Sequence, residues 1–323
     1  MLPRRKYFNG NPWITIPSKG NIREFDSFFC SVRLVGIFVM CSIFSFGQVL
    51  DNRQGEAFTE KPFFNESFIK ENKIKEIKGE FSYMKTGKGL VPMKYYSSYS
   101  FDNQGHLVES YETRPDDGSE DTTFNYYFYN EADLLELHRA TEKEGLLAIH
   151  YSYDSLDRLV GKEFKRDIDS NGQIIRTLSF NKERIAYFDY DKQLKCTYYN
   201  NYDLPYMDEF FNYNEMGYLM ERIERIKMTS TVYTYQHEYD EMGKLSAIRK
   251  ISNKSEVPVE EMEFSYDELG NLIEKLIYRN GILKTNIQII YNAKTHLLES
   301  VITTEEATGF MMVCRYRDYK FFN

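Results

Sequence analysis

Tyr266-Asp267-Glu268-Leu269-Gly270-Asn271-Leu272 reads as one complete β-hairpin turn. An Asp at the first position of a type I turn caps the turn's backbone, and a Gly three residues later accepts the left-handed conformation of a G1 bulge. In such a hairpin the residue before the Asp faces the residue five after it, so Tyr266 is expected to pack across the strands on Leu272.

The same register recurs along the chain. An Asp or Asn stands at Asp102, Asn130, Asp154, Asp189, Asn214, Asp240, Asp267 and Asn292. Each follows an aromatic residue (Phe101, Tyr129, Tyr153, Phe188, Tyr213, Tyr239, Tyr266, Tyr291), and Leu stands five positions after each one. Gly105, Gly217, Gly243 and Gly270 hold the left-handed position, and Asp133 and Asp157 tolerate it. Lys192 and Thr295 do so poorly, so distorted fourth and eighth turns are expected. The structural turn residues are thus Asp102, Gly105, Asp154, Gly217, Asp240, Gly243, Asp267 and Gly270.

A period near 25 residues leaves room for two strands and two turns. The opposite turns are expected at Asp116-Asp117-Gly118, at 142–145, at 253–256 and at Asn280-Gly281, with an extra turn of the aligned kind at Asp169-Ser170-Asn171-Gly172. Residues 72–81 and 90–100 read as a preceding strand pair, and 310–316 as a closing strand. The expected fold is all-β, an antiparallel hairpin-repeat meander of about sixteen strands forming a curled sheet or β-solenoid-like single domain over 72–323. Composition agrees, with 27 Tyr, 24 Phe and only 8 Pro in 323 residues.

Leu34 to Phe46 is an apolar run of 13 residues after Arg33, too short to span a bilayer and suited to a secretory signal. Ser45 and Gly47 are the small residues of a cut before Gln48, giving a signal peptide over 1–47 and a linker with one short helix over 48–71. The mature chain then carries 35 basic and 47 acidic residues, a net charge of −12. Such a surface repels phosphate backbones, so no nucleic-acid partner is expected. Cys30 and Cys41 leave with the leader. Cys196 and Cys314 remain, either as one disulfide or as two buried thiols.

The repeat resembles the YD-repeat, or Rhs-type, family over residues 95 to 302. Literal Tyr-Asp with its following Leu occurs at Tyr153-Asp154, Tyr239-Asp240 and Tyr266-Asp267, and the other units are Phe-Asp or Tyr-Asn variants. The resemblance implies an exported protein with spiralling β-sheet. In the full-length toxins of that family the sheet forms a shell around a C-terminal effector. This chain is shorter and shows neither a Pro-rich processing motif nor a toxin domain after the repeats.

Alternation along the incoming strands puts Tyr99, Phe211, Phe264 and Ile289 on the face of the turn aromatics, and Glu109, Glu221, Glu274 and Glu299 fall opposite them. Carboxylates beside rings suit a sugar or a cationic ligand. The ligand-binding candidates are therefore Tyr99, Glu109, Phe211, Glu221, Phe264, Glu274 and Glu299, against a structural reading as a core ladder edged by solvated Glu. No catalytic residues, metal or cofactor are expected. The chain lacks G-x-S-x-G, H-E-x-x-H and a phosphate-cradling glycine loop, and the five His share no ligand spacing. Acid doublets such as Asp208-Glu209 or Glu260-Glu261 could serve a hydrolase reading, but such doublets are common on acidic surfaces. An outer-membrane barrel is disfavoured because both faces of residues 219–225 carry charge.

The expected function is an exported, non-enzymatic binding or scaffold module engaging a glycan or an envelope protein, not membrane-spanning after signal cleavage. It would be secreted, periplasmic or at the cell surface. A part in a secreted Rhs-like toxin system and a carbohydrate-active hydrolase are the alternatives.

Overall fold

The computed structural model describes residues 48–59, 61–116, 119–142, 145–170, 173–190 and 192–323. The signal-peptide reading, with Cys30 and Cys41, lies outside them. A helix, α1 (Glu66–Glu71), precedes eighteen strands. They are β1 (Ile74–Met84), β2 (Val91–Phe101), β3 (Leu107–Asp116), β4 (Ser119–Tyr129), β5 (Leu135–Glu142) and β6 (Gly145–Tyr153). Then come β7 (Leu159–Ser170), β8 (Gln173–Tyr190), β9 (Gln193–Tyr199), β10 (Pro205–Tyr213), β11 (Leu219–Ile226) and β12 (Thr231–Tyr239). The last are β13 (Leu245–Ser252), β14 (Glu260–Tyr266), β15 (Leu272–Arg279), β16 (Ile282–Tyr291), β17 (Leu298–Glu305) and β18 (Phe310–Phe321).

Every strand pairs antiparallel with the next, as the meander requires, and β1 also pairs with β18 from Ile74↔Phe321 to Met84↔Met311. The sheet is therefore a closed eighteen-stranded barrel, and the curled open sheet or solenoid expected from the sequence is corrected. Closure removes the two edges that an open meander would expose. The strand count exceeds the expected sixteen by two, because β1, the first strand of the preceding pair, and the closing strand β18 complete the ring.

The aligned turns form as their residues dictate. Asp102 Oδ1 accepts from the amides of Gln104 and His106 at 2.9 Å each, and Gly105 has φ +87°. Six of the eight predicted cross-strand pairs are present, among them Tyr266↔Leu272 and Phe101↔Leu107. The two exceptions are the units without a tolerant left-handed residue. The loop after Asn292 takes one more residue, with positive φ at His296, and pairs Tyr291 with Leu298. In the fourth unit Tyr190 pairs with Gln193, and Asp189 rather than Phe188 faces Leu194. Asn171 and Gly172 of the expected extra turn lie outside the described residues; β7 and β8 pair up to Ser170↔Gln173, at the end of the sheet opposite the aligned turns. One turn of the aligned chemistry does occur at that opposite end, where Asn200 Oδ1 accepts from Tyr202 and Leu204.

Residues 48–71 are not a free linker. Val49, Leu50, Ala57, Phe63, Phe64, Phe68 and Ile69 belong to the same buried cluster as Phe101, Tyr127, Tyr151, Phe211, Phe264 and Tyr316 from around the barrel. The segment touches the ring-bearing face of β2 through Phe64 on Tyr99 and Phe101, and that of β13 and β14 through Gly55 near Ile248 and Phe264. A segment that contacts one face of strands so far apart in a closed single-layer ring lies on the inner wall. It supplies the apolar cover that this face would otherwise lack. Helix α1, capped by Asn65, sits against the aligned turn at Gly105, where a Cβ would lie 2.1 Å from the Glu66 carbonyl oxygen.

Candidate functional site

The inner wall is set by alternation from the buried rings. Phe211 is fully buried and Phe264 is 5% exposed, and both face inward with Tyr99. The predicted glutamates do not join them. Seven of the eight aligned hairpins, all but the fourth, carry a bulge immediately after the aromatic–Leu pair, so the outgoing strand advances one residue. Tyr99 then pairs with Ser110, Phe211 with Arg222 and Phe264 with Lys275, while Glu109, Glu221 and Glu274 face Ser100, Asn212 and Ser265 on the outer side. Ile289 pairs with Val301, and Glu299 is the exposed extra residue of its bulge. The predicted carboxylate-and-ring site is thus split between two faces, and its geometry is corrected. A one-residue bulge inverts the face of everything beyond it, which simple alternation misses. The acid doublets divide likewise, since Asp208 points out toward Lys195 and Lys227 while Glu209 points in.

What the bulge brings inward is charge. On β7 to β13 the inner wall carries Lys162, Glu183, Glu209, Arg222 and Glu224 among the hydroxyls of Tyr198, Tyr206 and Tyr235. Lys162 Nζ meets Glu183 Oε1 at 2.6 Å, and Tyr206 donates to the other oxygen of Glu183. Tyr198 donates to Glu209, and Arg222 contacts Glu209 at 3.5 Å and Glu224 at 3.1 Å. Tyr235 donates to Glu224 at 3.0 Å beneath the Arg222 guanidinium, 3.9 Å from its ring centre. Burial, with Glu209 and Glu183 beside them, pushes the phenols of Tyr198 and Tyr206 well up, so they remain donors. Three carboxylates face two cations here, and Lys250 over the rings of Tyr233 and Tyr235 supplies a third. Each charge has an opposite charge or a hydroxyl, as buried charges require.

Lys275 is 2% exposed and donates to the carbonyls of Ala57 at 2.9 Å and Gly55 at 3.4 Å. It thereby ties β15 to the N-terminal segment, as Asn52 does by donating to Tyr266 Oη at 3.0 Å. Burial brings Lys275 down to about 8. His237 on β12, half-buried and near Arg222, falls to about 4.

The turn tyrosines have a second role that their spacing does not announce. Tyr129, Tyr153, Tyr239, Tyr266 and Tyr291 donate to the carbonyls of Leu107, Leu135, Leu219, Leu245 and Leu272, and Tyr319 on the closing strand β18, which precedes no turn, donates likewise to Leu298, all at 2.6 to 2.9 Å. In the fourth unit Tyr187 reaches Leu159, so the true repeat position there is one residue ahead of Phe188. Cys196 and Cys314 are both buried free thiols, and His106 bonds Asp102 within its own turn at 3.0 Å. Among the described residues no cluster of three or more His, Cys, Asp or Glu could hold a metal ion.

No protein-family model matches the chain, and no curated protein does. Among solved structures it is similar to a porin-like protein from Bacteroides uniformis, at 10% identity and TM-score 0.31, over 60% of this chain and 95% of that one. It is similar to a TcdB2-TccC3-TEV structure at 11% identity and TM-score 0.27, over 66% of this chain and 16% of that one. A DUF1329 family protein from Desulfovibrio piger matches at 12% identity and TM-score 0.21, over 77% and 86% of the two chains. At these scores the likenesses carry no argument about function.

Proposed function

We propose that the chain is an exported, non-enzymatic binding or scaffold module of the cell envelope, engaging a glycan or an envelope protein through its outer surface. The observation that carries this reading is the occupancy of the inner wall by the chain itself. The N-terminal segment covers the aromatic part of that wall, and the charged part is paired internally. What remains for a partner is the outside of the barrel.

Outward ion pairs support a water-facing exterior. Arg249 pairs with Glu238 and Glu261 across β12, β13 and β14, and Asp208 meets Lys195 and Lys227 at 3.5 and 3.2 Å. On a lipid-facing barrel an Arg or Lys at the bilayer midplane costs about 2–4 kcal/mol. The 13-residue apolar run before Gln48 supports export.

Expression of the full chain in a didermic host tests the address. The expected product begins at Gln48, leaves with the osmotic-shock fraction and co-sediments with isolated envelopes. An intact leader in the cytoplasm, or a product that stays in the bilayer after carbonate washing, contradicts the reading.

A further inference from the structure

The outer face is not uniform. On β12 to β14 it carries Thr234, Gln236, Glu238, Arg249, Glu261 and Glu263, the ordinary dressing of a solvated sheet. On β2 to β4 the corresponding face carries a row of rings instead. Tyr96 and Tyr111 lie 5.4 Å apart, Tyr111 and Phe124 5.3 Å, and Phe124 and Tyr126 6.1 Å with parallel planes. Phe128, 45% exposed, continues the row two residues on. These positions share the phase of Ser98, Ser100 and Glu109, opposite to the inward Tyr99, Phe101 and Tyr127. Nothing in the repeat requires aromatic residues there, because the same fold is built elsewhere with Thr, Gln and Glu.

The row is bracketed by cations, Lys78 at 4.4 Å from the Tyr96 ring centre and Arg139 at 5.6 Å from that of Phe128. Glu109 faces Tyr126 across β3 and β4. Burial and Glu109 both raise the Tyr126 phenol, so its hydroxyl stays a donor. The edge of the row thus offers hydroxyl donors and a carboxylate acceptor, while its body offers ring faces. Rings stack on the apolar faces of pyranoses, and the carboxylate and phenols suit sugar hydroxyls. A mature charge of −12 opposes a polyanion.

We infer that the outer aromatic row of Tyr96, Tyr111, Phe124, Tyr126 and Phe128 is a binding platform for a linear, uncharged polysaccharide. This rests on the binding-module reading above and names its surface and ligand class. It is distinct from the site expected from the sequence, of which only Glu109 takes part.

Affinity electrophoresis of the full chain through gels carrying hydroxyethyl cellulose, galactomannan, laminarin or glycol chitin tests the platform. The expected result is retardation by at least one of them, weakened at least tenfold in Tyr111→Ala and in Phe124→Ala, and unchanged in Gln236→Ala on the far outer face. Absence of retardation in all four gels overturns the inference, as does retardation that ignores both row variants. Envelope co-sedimentation that persists undiminished in the row variants also overturns it, while leaving the binding-module reading intact. Loss of co-sedimentation by the unaltered chain counts against that reading itself. Should a variant fail to fold, tetranitromethane nitration of the unaltered chain decides. Protection of Tyr96, Tyr111 and Tyr126 by the retarding polysaccharide is expected, and equal nitration with and without it overturns the platform.

Discussion

Tyr266 donates its hydroxyl to the Leu245 carbonyl at 2.8 Å, and the bond joins the tyrosine of one unit to the leucine of the unit before it. The same bond recurs from Tyr129 on Leu107 to Tyr319 on Leu298, so it reaches nearly all the way around the barrel. The repeat's Asp belongs to its turn. Its Tyr belongs both to its own Leu across the hairpin and to the neighbouring hairpin.

Removing that hydroxyl is expected to cost about 1 kcal/mol, the net worth of a typical hydrogen bond, and somewhat more here because Asn52 also donates to Tyr266. Urea denaturation of Tyr266→Phe checks this. A change within ±0.2 kcal/mol would mean that the hydroxyl holds nothing.

Two glycines with similar backbone angles should respond differently. Gly281 has φ +73° with open space around a notional Cβ, so Gly281→Ala should cost only the left-handed penalty of ~1–2 kcal/mol. Gly105→Ala adds a Cβ 2.1 Å from the Glu66 carbonyl oxygen and must displace α1. Its midpoint in urea should fall clearly further, and equal losses would argue that α1 does not pack there.

The turn chemistry was legible because each local unit contains its own specification, Asp or Asn, left-handed residue and Leu. Closure was not legible, since the pairing of Phe81 with Cys314 joins residues more than two hundred positions apart and no local pattern encodes it. The ligand candidates failed for a smaller reason. The bulge that the turn demands also rotates Glu274 away from Phe264, and period-two alternation does not hold across a bulge. The N-terminal segment, with scattered Phe63, Phe64 and Phe68 among polar residues, has no strand or helix period and so read as a linker.

Phe64→Ala separates a linker from a packed segment. Phe64 lies 4.8 Å from the Tyr99 ring and 5.2 Å from that of Phe101, so truncation should cost about 3–5 kcal/mol, against ±0.5 kcal/mol for an exposed linker residue. Denaturant unfolding measures the difference.

Two desolvated bases, one buried and one half-buried, shape the pH profile. Lys275 is brought down from 10.5 to about 8, so between those values the unfolded chain holds a proton that the native chain has lost. Stability should therefore rise with pH from about 8 upward, by at most ~1.4 kcal/mol per pH unit, and Lys275→Met should flatten that limb. His237 moves from 6.5 to about 4, so the unfolded chain takes up its proton first on acidification. Stability should fall as pH drops from 6.5 toward 4, and His237→Gln should lessen the fall. Chemical denaturation at half-unit pH steps reads both limbs.

Barrel closure is tested most directly by the native thiol of Cys314. Its partner across the β1–β18 seam is Phe81, and antiparallel partners have Cα atoms about 4.5–5.5 Å apart, within the range a disulfide bridges. In a Cys196→Ala background, mild oxidation of Phe81→Cys should give an intramolecular disulfide, seen as faster migration on a non-reducing gel that reverts on reduction. Ser82→Cys with Val313→Cys samples the neighbouring register on the same seam. In an open meander of eighteen strands spaced about 4.8 Å apart, β1 and β18 would lie at opposite edges. Folded protein that forms neither crosslink would contradict the closed barrel.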